Sequence, residues 1–145
     1  MKKLSFLSIL LIFCACDEDK SIDPTIMPPA TTTGENTIGC LIDGWIYASG
    51  RFGKPEASAY KEKENHYVRI ESEVGLFIML SFTLVNPVEG ATCTYTKATF
   101  DGGMIEDGEA YITRLNGKIV SGTFAGGDIS EGRFDVKYEE NENPY

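Results

Sequence analysis

The sequence predicts an all-β domain: a single antiparallel β-sandwich or half-barrel of seven to eight strands, spanning residues 37–138. Three observations lead there. Short runs rich in Val, Ile, Thr and aromatic residues recur along the chain. Asn-Gly and Asp-Gly dipeptides of the kind that close tight hairpins lie between them. No window has helical periodicity long enough to compete.

Taken in order, residues 39–42 and 45–48 flank Asp43-Gly44 and read as a first hairpin. His66 to Glu73 alternates, and Leu76 to Val85 (LFIMLSFTLV) is nearly continuously apolar, so it is expected to be the most buried element or one that crosses two layers. Residues 91–100 follow. Glu109 to Leu115 and Lys118 to Ala125 then flank Asn116-Gly117. A type I′ turn centred on that dipeptide would set Leu115 opposite Lys118, Thr113 opposite Val120 and Tyr111 over Gly122. Arg133 to Tyr138 completes the set, and fifteen glycines supply turns. At 145 residues there is room for one such domain.

The flanks read differently. Met1-Lys2-Lys3, the predominantly apolar ten-residue run Leu4 to Phe13 and Cys14-Ala15 form a signal-peptide pattern over residues 1–15, directly before Cys16, since ten residues fall short of the ~20 that span a bilayer. Ala15 before Cys16 resembles the lipobox of bacterial lipoproteins, which implies cleavage before Cys16 and a diacylglycerol on its thiol. Phe13 and Cys14 stand where that pattern more often has Leu and a small residue. The acidic cluster Asp17-Glu18-Asp19 resembles the signal that directs lipoproteins of gut Gram-negative anaerobes to the outer membrane and often its outer face. In other Gram-negative lineages an Asp directly after the cysteine instead resembles the signal for retention at the inner membrane. Residues 16–36, ending in a Pro- and Thr-rich stretch, are expected to be an acylated N-terminus and a flexible tether, and residues 139–145 a disordered acidic tail.

The segments GEAYITRL (108–115), VSGTF (120–124) and EGRFDV (131–136), with IDGW at 42–45, resemble an uncharacterised family of small all-β lipoprotein domains from gut Gram-negative anaerobes. The resemblance covers most of residues 37–138 and rests on strand-and-turn patterns. It implies a fold and an address and carries no activity.

Charge narrows the function. The formal net charge is −9, and losing Lys2 and Lys3 with a signal peptide leaves 11 basic against 22 acidic residues, or −11. Nucleic acid is therefore no expected partner. His66, the single histidine, rules out histidine-rich zinc sites. No nucleophile elbow or phosphate loop is present, so no catalytic residue, metal or cofactor is assigned. Asp101, Glu106, Asp107 and Glu109 crowd one stretch that could hold calcium, though its spacing fits no EF-hand loop and such turns commonly occur without metal. A carboxylate-based hydrolase, the third reading of function, would require Asp101, Glu106 and Asp107 to converge in a cleft. Cys40 and Cys93 are candidates for a disulfide, with two free thiols as the alternative. Trp45 and Tyr47, close in sequence to Phe52 and Tyr60, form a candidate platform for a glycan, with core packing as the alternative. The leading expectation is a non-catalytic surface binding or adhesion module, anchored in the membrane by lipid and directed at a glycan or envelope protein. The second is an accessory subunit of an outer-membrane assembly.

Overall fold

The computed structural model describes residues 25–50 and 53–142. The expected signal peptide, the lipid anchor Cys16 and the acidic cluster lie outside the described residues, as does Phe52.

The strands are β1 (Thr37–Ile42), β2 (Trp45–Ala48), β3 (Glu56–Glu62), β4 (Asn65–Val74), β5 (Ile78–Val85), β6 (Thr92–Phe100), β7 (Gly103–Met104), β8 (Gly108–Asn116), β9 (Ile119–Gly126) and β10 (Ile129–Glu140). The described residues contain no helix. All-β is therefore correct, but the sheet is neither a sandwich nor a half-barrel. Strands β3, β4, β5, β6, β8, β9 and β10 close on one another as a seven-stranded barrel, with β1, β2 and β7 added to it.

Closure rests on β10. One of its edges pairs with β9. The other pairs antiparallel with β1 over residues 129–135, then parallel with β3, matching Tyr138, Glu139 and Glu140 to Ala57, Ser58 and Ala59. The expected acidic tail is thus strand as far as Glu140, and Asn141 N–H donates to the carbonyl of Ala59 at 2.8 Å. Because β1 and β3 share one edge of β10, the wall between β10 and β4 is built in two halves. β3 forms the lower half, and the β1–β2 hairpin, tied by Gly75 N–H to the Ala48 carbonyl at 2.9 Å, leans over the upper one.

Alternation sends Ile38, Cys40 and Ile42 of β1, Val68, Ile70 and Val74 of β4, Leu80, Phe82 and Leu84 of β5, and Phe134 and Val136 of β10 inward. The interior is occupied by aromatic rings. Phe82 stacks on Phe124 at 4.7 Å between centroids and meets Tyr95 at 5.3 Å and Phe134 at 5.9 Å. Each ring buries a large apolar area in contact geometries that favour offset or edge-on packing. The barrel is a filled one.

Three sequence expectations need correction. The β8–β9 hairpin exists, but its turn is centred on Gly117-Lys118, both with positive φ, and Asn116 pairs with Ile119. Leu115 consequently faces Val120, and past a bulge between Ile112 and Arg114 the partner of Gly122 is Ile112. The ring over Gly122 is that of Phe134, from β10, so a Cβ there would meet the ring edge at 3.0 Å and the Tyr111 carbonyl more closely still. Second, the apolar run 76–85 is split. Gly75 and Phe77 take positive φ and turn the chain, leaving Leu76 76% and Phe77 87% exposed while β5 starts at Ile78.

Third, the segment expected to be a tether is docked from residue 25 onward. Pro28 is buried against Gly39, Arg133 reaches the Pro28 carbonyl at 3.3 Å, and Arg114 reaches that of Thr32 at 2.7 Å. Asp135, on the outer face of β10, is the centre of this contact. Its carboxylate accepts hydrogen bonds from the Thr31 hydroxyl (2.6 Å), the Gly34 amide (2.9 Å), the Glu35 amide (3.0 Å) and the Ser121 hydroxyl (2.6 Å).

Candidate functional site

The two ends of the barrel differ in chemistry. At the lower end the chain enters β1 and leaves β10. Here Ala59 and Val68, with Leu115, Pro87 and Tyr138, line a cup of about 420 Å³ with Lys61, His66 and Glu140 at its edge. Small residues on β3 leave this space. His66 is exposed, and its amide donates to Asn86 Oδ1 at 2.8 Å, which fixes the strand end rather than an imidazole. A second groove, of about 830 Å³, follows the notch where β1 and β3 part along β10. Its charges are mixed, with Lys54, Lys118 and Lys137 facing Glu56, Glu71 and Glu139 and an Arg69–Glu71 ion pair at 3.1 Å.

Among the described residues, four turns between neighbouring strands lie at the upper end. They are Asp43-Gly44, Gly75-Leu76-Phe77, the segment 101–107 that contains β7, and Gly127-Asp128. Hydrogen bonds and packing gather them at one end. Ile42 pairs with both Trp45 and Ile129, which sets the first turn beside the last. Tyr47 lies edge-on to Phe100 at 4.9 Å, and Asp101 N–H donates to the Met79 carbonyl at 3.0 Å. The Glu106 side chain lies against Gly127.

On these turns and the strand ends beside them are exposed apolar side chains that form a rim. Nine large apolar side chains are exposed among the described residues, and six belong to this end: Trp45 (72%), Ile46, Leu76, Phe77, Met79 and Met104 (81%). An exposed Leu or Met alone would need no explanation, whereas a cluster of them marks a contact surface. Phe77 has φ of 60°, an outlying conformation for an aromatic residue, in a turn that leaves its ring in water. The fold gains no burial from that ring.

Of the sequence candidates, Trp45 is on this rim and Tyr47 is not part of a flat platform with it. Tyr47 is half-buried between Phe100 and Gly75. Tyr60 lies elsewhere, stacked on Tyr67 across β3–β4 at 5.2 Å. Cys40 and Cys93 are free thiols on strands that do not pair, so the candidate disulfide is absent. Burial pushes the Cys40 thiol up to about 12 and raises that of Cys93. Asp101, Glu106 and Asp107 lie exposed along the 101–107 loop instead of converging in a recess. Among the described residues no group of three or more His, Cys, Asp or Glu side chains is placed to hold a metal ion.

Leu76, Phe77 and Met104 escaped sequence reasoning. The first two looked like the start of a buried strand, and the signal that separates them is Gly75 directly before them. No family model, curated protein or solved structure matches the chain.

Proposed function

We propose that this chain is a lipid-anchored envelope lipoprotein, held at the outer membrane through Cys16, whose barrel is a non-catalytic surface binding module. The single observation that carries the reading is the apolar rim, because water-exposed Trp, Phe, Leu and Met side chains gathered at one end of a barrel mark a surface for a partner. A filled interior supports the same reading: recognition on this barrel belongs to its surface.

The test uses the chain from residue 17 onward, since the core and every barrel strand lie within residues 25–142. Immobilised chain is exposed to a broad glycan panel and to envelope extracts, and both retention and turnover are recorded. Retention lost in Phe77→Ser, with the circular dichroism spectrum unchanged, supports the binding reading. Conversion of a glycan, abolished by Asp101→Asn or Glu106→Gln, would replace it with the hydrolase reading.

A further inference from the structure

The charge on the four rim turns identifies the kind of partner. Their sequences are DG, GLF, DGGMIED and GD. Asp43, Asp101, Glu106, Asp107 and Asp128 supply five carboxylates, and these turns contain no Lys, Arg or His. Apolar tips are therefore interleaved with negative charge of one sign. We infer that the rim docks a protein surface that is apolar at its centre and basic around it, with Leu76 and Phe77 as the anchoring side chains. The inference rests on the reading of the barrel as a binding module and adds the chemistry of its partner.

Charge complementarity selects this occupant over two others. A second copy docked rim to rim would set like charges face to face around the contact, and such juxtaposition is strongly unfavourable once water is displaced. An anionic lipid surface would be repelled in the same way. A cationic surface instead gains from every carboxylate of the rim. Burial of Leu76 and Phe77 then supplies the apolar part of the contact.

Trp45 makes the test direct, because it is the chain's single tryptophan and stands 72% exposed on the rim. The chain from residue 17 is titrated with a synthetic amphipathic helix of Leu and Lys, and Trp emission is followed. The expected result is a saturable blue shift that weakens with added salt. In Leu76→Ser/Phe77→Ser it should weaken by about tenfold or more, an effect of about 1.4 kcal/mol. Val88→Ser, at an exposed apolar site away from the rim, should leave it unchanged. Equal binding of a Leu/Glu helix would overturn the charge argument. A blue shift with phosphatidylcholine vesicles, and none with the Leu/Lys helix, would replace the protein partner with a lipid surface. Failure with the Leu/Lys helix, beside Phe77-dependent retention of a glycan, would sink this inference alone. Failure of every ligand would sink the binding reading with it.

Discussion

Asp135 gathers donors from two segments distant in sequence, the 31–35 stretch and Ser121 of β9. Burial raises its proton affinity, but the amides of Glu35 and Gly34 and the hydroxyls of Ser121 and Thr31 outweigh that, so its carboxyl titrates below the usual carboxylate range. The native state therefore releases this proton at lower pH than the unfolded chain, whose Asp titrates near ~3.9. The resulting stabilisation is complete above that value and is lost as pH falls through it towards the lower native one. Urea unfolding at pH 7 and pH 3 should show the loss in wild type, and Asp135→Asn should flatten the difference. That variant turns an NH₂ group towards donors. Asp135→Ala leaves those donors in a buried contact without an acceptor and should cost roughly 3 kcal/mol or more. Equal urea midpoints for wild type and Asp135→Ala at pH 7 would show that the clasp is dispensable.

At the scale of elements, the strands with apolar alternation were legible and those without it were not. β4 and the β1–β2 hairpin, with its Asp43-Gly44 turn, follow the expected pattern. β3 escaped because its inward side chains are Ala57 and Ala59, small enough to make EASAYKE read as a loop. The last residues of β10 escaped because Lys137, Glu139 and Glu140 look solvated, although their backbone closes the barrel. The β8–β9 register slipped because Gly117-Lys118, rather than Asn116-Gly117, occupies the two positive-φ positions of the turn. Ending the chain after Lys137 tests the role given to the final turn of sheet. Removing Tyr138 and its parallel pairing to β3 should lower the melting midpoint by roughly 10 °C, from a loss of ~2 kcal/mol of burial and pairing. An unchanged midpoint would mean that β3 holds its place through β4 alone.

For the whole molecule, the fold class was readable from composition and turns, while barrel closure was not. Closure depends on which edge of β10 meets which strand, and no local pattern records that one edge serves both β1 and β3. The docked 25–36 segment was hidden for a related reason. Its Pro and Thr residues have no apolar periodicity, and the partner that fixes them, Asp135, sits at an outward position that alternation assigns to solvent. The rim was legible only as Trp45. The proposed anchor is tested on the full chain in a Gram-negative host: Cys16→Ala should abolish incorporation of a fatty-acid probe and release the protein from membranes, and Cys14→Ala should leave both unchanged. Labelling that survives Cys16→Ala would remove the anchor.

The place of β10 in the chain also governs when the protein can fold. Among the described strands it is the last to leave the ribosome, and it pairs with β1 as well as with β3 and β9. Until it arrives, β9 and β3 each have one unpaired edge and the aromatic interior lacks Phe134. Pairings this distant in sequence form slowly, since loop closure must precede any gain from contact. A chain that lacks β10 therefore has an open barrel. On the proposed export route that delay would be useful, because the barrel stays open and the polypeptide threadable until β10 is made.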